Sequence, residues 1–317
     1  MILNRWKQCS VTLIGTDHIK NTISCQDVVA EASKNGVHVI ALSDGAGSKK
    51  HSDIGATIAA NTICDLMTCN FDGYYISLEE DTHKNSMLGK DIVSEVSRKI
   101  KVKAKRMNAD YSDFACTLLF YVIKDDDFIT GHIGDGLIVE LHNVYKDVVI
   151  TASSMPENNG GPNVTYFITD SDANENFRIS SGKLNQNFKA AILMSDGPEE
   201  VLYDQKFKDV NSYLANLVNL YDMKNKAEYK SILKNFLDDK IRNYTSDDMS
   251  MNILYKESIS FRDIKKHPIY IADLEEVIRS KCRIKKTSSY NILFDDAYQD
   301  RLLTNSSLRE VLDEYKN

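Results

Sequence analysis

The sequence predicts an α+β protein in which antiparallel sheets carry helices on their outer faces. Three observations lead there. Strand-like segments dominate the first half of the chain. Helical segments come in blocks instead of alternating one for one with strands, as a doubly wound parallel sheet would require. A late strand, 249–255, closes the pattern. The chain has 317 residues, 42% hydrophobic and 27% charged. That length and balance can bury a core without disulfide or metal staples.

Taken in order, residues 10–15 (SVTLIG) and 37–43 (VHVIALS) are β-branched and apolar and read as buried strands. Residues 52–70 set Ile54, Ile58, Ala59, Ile63, Leu66 and Met67 on one helical face, with Ser52 or Asp53 as cap. Residues 90–107 form a second helix with Ile92, Val93, Val96 and Ile100 as its stripe. Its far end (Arg98, Lys99, Lys101, Lys103, Lys105, Arg106) reads as a solvated face suited to a helix C-terminus. Segments 114–123 and 128–133 flank Lys124-Asp125-Asp126-Asp127, a hairpin with a polar turn. Strands are expected at 137–141, 148–152, 164–168 and 190–194. A helical block runs over 211–241, broken near 221–225, and Leu233, Phe236, Leu237 and Ile241 stripe its last helix. After residue 256 the texture changes. Helical candidates 272–280 and 306–315 accompany a basic stretch, RSKCRIKK. The chain is therefore divided into a domain, 1–256, and a C-terminal helical extension, 257–317, expected to pack on it, with docking a partner or covering the functional face as the alternative.

Composition excludes several classes. Lys and Arg number 39 against 46 Asp and Glu, a net charge of −7. Nucleic-acid affinity comes mainly from neutralising phosphates, so an acidic chain is not expected to bind nucleic acid. The longest apolar run, 114–123, is too short for a bilayer, which needs about 20 residues. The start, MILNRWKQ, carries no apolar run behind a basic region, so no secretory signal is expected. Six cysteines (Cys9, Cys25, Cys64, Cys69, Cys116, Cys282) include no C-x-x-C pair. They read as reduced, mostly buried thiols of a cytoplasmic protein. A monomer is expected.

The chemistry lies in aspartates placed at strand ends. Asp44 follows VIALS and precedes Gly45-Ala46-Gly47. Asp196 follows AAILMS and precedes Gly197. Asp135 sits in Gly134-Asp135-Gly136, Asp247 and Asp248 precede the last strand, and Asp27 heads an apolar segment. A carboxylate there is rigid yet can face a cleft, and a neighbouring Gly lets a backbone carbonyl approach an ion. Carboxylates gathered in one place repel and need a proton, a cationic side chain or a divalent cation. Oxygen donors without His or Cys at metal-like spacing favour hard ions such as Mg²⁺ or Mn²⁺. Taken singly, an Asp-Gly after a strand is most often a turn.

In order along the chain, these motifs resemble the metal-dependent Ser/Thr protein phosphatases of type 2C, in their bacterial-type branch. The matching residues are 15–27 (GTDHIKNTISCQD), 43–55 (SDGAGSKKHSDIG), Cys116-Thr117, 131–136 (GHIGDG), 165–172 (TYFITDSD), 193–197 (LMSDG) and 246–250 (SDDMS). The resemblance covers roughly 8–256. It implies a four-layer αββα sandwich of two antiparallel sheets flanked by helices. It also implies two Mn²⁺ or Mg²⁺ ions with a third, weaker site, and a bridging hydroxide that attacks phosphorus without a phosphoenzyme. Asp44 would bridge the two metals, the Gly45 carbonyl and Asp27 would serve one of them, and Asp196 and Asp247 the other. Asp135 would hold the third ion together with Asp196. Asp248 stands where the family usually has Asn, so Asp247 is taken as the ligand.

Some family members place a proton-donating His after the bridging Asp-Gly. Here that residue is Ala46, and His51 is the candidate replacement, with a surface loop role as its alternative. His18 matches a family His of structural or catalytic use. No Arg precedes Asp27 to bind phosphate; Lys20, Lys49 and Lys50 are the nearby cations. The implied partners are a phosphoprotein substrate and a cognate Ser/Thr kinase. A non-catalytic binding or regulatory module would be marked by decayed ligand positions, and a small phosphoester is the alternative substrate.

Overall fold

The computed structural model describes residues 5–80, 87–144, 147–157, 165–221 and 224–257. The 272–280 and 306–315 helices and Cys282 fall outside them, as does the rest of the extension beyond residue 257.

Two five-stranded antiparallel sheets form the centre. The first joins β1 (Arg5–Leu13), β12 (Met249–Glu257), β9 (Phe188–Met194), β6 (Leu137–Val144) and β7 (Asp147–Ser154), in that order. The second joins β2 (Asp27–Lys34), β3 (Val37–Asp44), β4 (Leu118–Lys124), β5 (Asp127–Ile133) and β8 (Arg178–Lys183). A short β10–β11 pair (Tyr203–Asp204, Asp209–Val210) stands apart.

The period of two along a strand explains the layers. In β4, Leu118, Phe120 and Val122 join the helix-facing core, while Leu119, Tyr121 and Ile123 enter the layer between the sheets. In β3, Val39 and Ala41 face the helices, whereas Ile40 and Leu42 face the other sheet. Both faces are buried, so these strands read as continuous apolar runs instead of alternating ones. Helices α2 (Ser52–Glu80) and α3 (Met87–Met107) cover the second sheet through Ala59, Ile63, Met67, Ile92, Val96 and Ile100. Helices α6 (Tyr213–Tyr221) and α7 (Lys226–Phe236) cover the first through Leu217, Tyr229, Leu233 and Phe236. The result is the four-layer αββα sandwich.

The remaining helices are short: α1 (Thr16–Asn21), α4 (Ala173–Asn176) and α5 (Asp196–Leu202). The helix expected to end near residue 70 continues to Glu80, but Asn70 leaves helical geometry (φ −145°, ψ 38°) and kinks it there. The 114–123 strand begins later than expected, because Phe114 closes a 3₁₀ turn, Tyr111–Phe114. No strand forms over 165–168. Ile168 is instead buried as an anchor, and its N–H donates to the Cys116 carbonyl at 2.8 Å. The β8 strand was not anticipated; its RISSGK sequence lacks an apolar run because β8 is an edge strand. Of the cysteines described, Cys9, Cys64 and Cys116 are buried, Cys25 is half-buried, Cys69 is exposed, and all are free. No helix of the described residues is long and apolar enough to cross a membrane.

Candidate active site

The acidic residues meet at one end of the two sheets. β2 and β3 are antiparallel, and their register sets Asp27, the first residue of β2, opposite Asp44, the last of β3. Thr117 fixes the backbone of Asp44 from both sides. The Thr117 N–H donates to the Asp44 carbonyl at 2.8 Å, and the Asp44 N–H donates to Thr117 Oγ1 at 2.9 Å. Gly45 continues this anchorage as an isolated bridge to Cys116. A Cβ on Gly45 would lie 2.6 Å from the Ser52 carbonyl carbon, so only glycine lets the turn and the start of α2 come so close.

Asp135 stands in the turn between β5 and β6. The preceding Gly134 takes φ +124°, and a Cβ there would strike Thr117. Thr165 donates its hydroxyl to Asp135 Oδ2. Asp196 begins α5, where its Oδ1 accepts the Gly197 N–H at 2.7 Å. Asp27 is buried; its Oδ2 accepts Ser195 Oγ–H at 2.7 Å, while its Oδ1 is buried without a partner.

These groups feel one another. Burial raises the Asp44 carboxyl well above its ordinary range, and the charges of Asp196, Asp27, Asp135 and Asp247 push it further. Asp196 is raised in the same way, by burial and then by Asp135, Asp247 and Asp27. Burial, with the Asp248 and Asp247 charges, pushes Asp27 up to about 7. Nearby Glu199 rises to about 8, chiefly through burial. Asp44 keeps an accessible face, and Asp247 is exposed.

Asp247 and Asp248 divide the work at the last loop. Asp248 is buried and accepts the Gly15 N–H at Oδ1 (2.7 Å) and the Gln26 N–H at Oδ2 (2.6 Å). It ties three chain segments together and leaves Asp247 to face outward. His18 Nδ1 stands 3.0 Å from Asp248 Oδ2, off the line of a hydrogen bond. One potential ligand atom each of His18, Asp247 and Asp248 lie within 4.8 Å of one another. His51 is placed differently: its ring lies against Phe114, centroids 5.3 Å apart, at the start of α2. Of the three lysines, Lys20 pairs with Asp17 at 3.1 Å, Lys50 is exposed, and Lys49 stands near Asp170, whose carboxyl burial raises despite that positive charge.

With strand-end carboxylates converging on an αββα frame, comparison with known proteins becomes decisive. The family model described as Protein phosphatase 2C matches residues 14–238. The chain belongs to the protein phosphatase 2C family. The match takes in Asp27, Asp44, Asp135 and Asp196 and stops before Asp247. A relative, Serine/threonine-protein phosphatase 3 of Escherichia coli, is 27% identical over 175 residues. That alignment covers 53% of this chain and 64% of the relative's length. Among solved structures, Serine/threonine phosphatase Stp1 from Staphylococcus aureus shares the fold with a TM-score of 0.55 at 14% identity, covering 80% of this chain and 96% of that one. PppA of Pseudomonas aeruginosa gives 0.52 at 14% identity, over 79% and 97%.

The raised carboxyls give the type 2C frame a pH signature. A carboxyl whose folded pKa exceeds its unfolded value favours folding at low pH, and that contribution is lost as pH rises through the folded pKa. In chelator, the melting temperature is therefore expected to fall by roughly 5–10 °C between pH 5.5 and 8.5. That window follows from Asp27 near 7 and Glu199 near 8. Thermal scans across the window check this, and a melting temperature that climbs with pH would contradict it.

Proposed function

We propose that this protein is a metal-dependent phosphatase that hydrolyses phosphoserine and phosphothreonine on proteins. Family membership and the E. coli relative's designation as a serine/threonine-protein phosphatase support the reaction class. The observation that carries the reading is Asp44, its backbone held by Thr117 and its partly accessible carboxylate surrounded by the charges of four other aspartates.

The donor set fits hard cations. It consists of carboxylate oxygens and one close-approach carbonyl, and Asp27 Oδ1 is buried with nothing to bond. In this reading Asp44 and the Gly45 carbonyl, with Asp27 in support, hold one Mn²⁺ or Mg²⁺. Asp44, Asp196 and Asp247 hold another, and Asp135 with Asp196 offers a weaker third position. When bound, such an ion pair supplies an activated water for in-line attack and positive charge beside the phosphoryl oxygens. The chain's own residues prepare that geometry. Thr117 fixes Asp44, Ser195 orients Asp27, and Thr165 orients Asp135.

A thiol route is disfavoured by the same burial. Cys9 is pushed up to about 11, and Cys64 and Cys116 to about 12, so none offers a thiolate at neutral pH. Purified protein is expected to hydrolyse p-nitrophenyl phosphate and phosphoserine peptides in Mn²⁺ and to stop in chelator. Activity that survives exhaustive chelation would overturn the metal-dependent reading. Absence of turnover on both substrates in Mn²⁺ would overturn the phosphatase reading itself.

A further inference from the structure

A second group of buried polar atoms lies between the edge strands of the two sheets, beside the turn that carries Asp135. β8 is an outer strand of the second sheet and β7 an outer strand of the first. Arg178 opens β8 and pairs with His132 of β5. Its Nη2 donates to His132 Nδ1 at 3.0 Å, and its Nη1 to the Met155 carbonyl at 2.7 Å, just past the end of β7. Its Nε forms an ion pair with Glu157 Oε2 at 3.4 Å. One guanidinium thus ties β5 to the 155–157 segment.

A guanidinium has no acceptor, so His132 Nδ1 holds the lone pair and Nε2 the proton. The Ser154 hydroxyl, 2.8 Å from the same Nδ1, is its second donor. The ring is neutral, and burial, with the Arg178 charge beside it, holds its pKa well below the usual histidine range. His132 is buried, and among the described residues its Nε2–H has no partner, which is costly. His132 therefore serves as a fixed acceptor for Arg178. The 155–157 segment acts on the turn itself. The Glu157 N–H donates to the Gly134 carbonyl at 3.2 Å. Gly134 takes φ +124°, a conformation that favours glycine, and immediately precedes Asp135. Arg178 thus holds the stretch 132–135 at two points: through the His132 ring, and through the segment that grips Gly134.

We infer that Arg178 is a positioning residue for Asp135: its guanidinium holds His132 and the 155–157 segment, and these hold the turn that carries the carboxylate. This rests on the reading above in which Asp135 and Asp196 offer the weaker cation position. Arg178 touches neither ion nor substrate in this role. It acts through the backbone before Asp135, while Thr165 acts on the carboxylate itself. The role needs two donors fixed in one plane, which a single ammonium does not reproduce.

Mn²⁺ binding to the full-length protein, followed by calorimetry and by the paramagnetic resonance of the free ion, separates the tighter ions from the weaker one. Arg178→Gln is expected to weaken the weaker ion about 10-fold and to leave the tighter ions within about 2-fold of wild type. Glu157→Pro removes the N–H that reaches Gly134 and is expected to give the same shift. Glu157→Gln keeps that N–H and is expected to match wild type. Arg178→Lys keeps the charge but not the fork, and is expected to behave as Arg178→Gln. A weaker ion unchanged in either Arg178→Gln or Glu157→Pro would overturn the proposal. So would tighter and weaker ions lost together, which would make Arg178 a general prop of the fold, or full recovery in Arg178→Lys, which would make charge alone sufficient. A wild-type protein without the weaker ion would overturn it as well. Binding is read without turnover. A wild-type protein that binds Mn²⁺ in both classes yet hydrolyses neither p-nitrophenyl phosphate nor phosphoserine peptides would instead overturn the phosphatase reading.

Discussion

Asp44→Asn is expected to lower Mn²⁺-dependent hydrolysis about 1000-fold while raising the stability of the metal-free protein. The two effects have opposite signs for one reason. Asp44 is where the charges of Asp196, Asp27, Asp135 and Asp247 are felt together. Without a cation that convergence is repulsive, and a neutral amide of the same shape relieves it. With cations, the same negative charge is the attraction that holds them. Losing a carboxylate proposed to serve two ions is expected to remove several kcal/mol of charge stabilisation, at about 1.4 kcal/mol for each tenfold in rate. The backbone anchorage to Thr117 does not involve the side chain, so the variant should remain folded. Rates on p-nitrophenyl phosphate and thermal scans in chelator measure both effects. Full activity in the variant would remove Asp44 from the site, and a metal-free variant less stable than wild type would show that the cluster is not strained by like charge.

Asp248→Ala is expected to be the most damaging single change to stability near the site, at about 3–5 kcal/mol. It strands the buried N–H groups of Gly15 and Gln26, each costing about 1–3 kcal/mol, and leaves a small void. At roughly 2–4 °C per kcal/mol for a domain of this size, the melting temperature should drop by about 10–15 °C. Asp248→Asn keeps one acceptor oxygen and turns an NH₂ group toward a donor, so it should lose about a third to a half as much. Melting curves of the two variants decide the matter. An Ala variant within 2 °C of wild type would show that Asp248 does not tie these segments. The family's usual Asn at this position can fill only part of that role. The carboxylate of this chain bonds both N–H groups and still lies beside His18.

Much of the fold was legible in the sequence because burial on both faces leaves a strong signal. Residues 118–123 and 190–194 are apolar at every position, and they lie in the central strands β4 and β9. The breaks in the helices were legible as well. The expected end near residue 70 is the Asn70 kink, and the gap at 221–225 separates α6 from α7. The failures share a cause. Residues 165–168 look like a strand, yet Ile168 is buried as a single anchor below the Asp44 turn, where no neighbouring strand offers a ladder. β8 has little apolar character because edge strands need less.

At the site, strand-end position singled out Asp27, Asp44, Asp135, Asp196 and the Asp247-Asp248 pair, and the family resemblance implied Asp247 from that pair. Their residue types and strand-end positions are local properties that a linear pattern can carry. What it could not carry was which of Asp247 and Asp248 is buried, or which groups pack against His51 and His18. Those pairs are alike in chemistry and close in local setting. They differ only in which distant backbone N–H groups and rings fold against them: Gly15 and Gln26 against Asp248, Phe114 against His51, and the 246–248 loop against α1. The sequence by itself determined the layers and the acidic character of the site, because periodic burial and residue chemistry are written locally. The tertiary structure alone decided which of the adjacent carboxylates, Asp247 or Asp248, is buried, because that depends on hydrogen bonds between segments more than 200 residues apart.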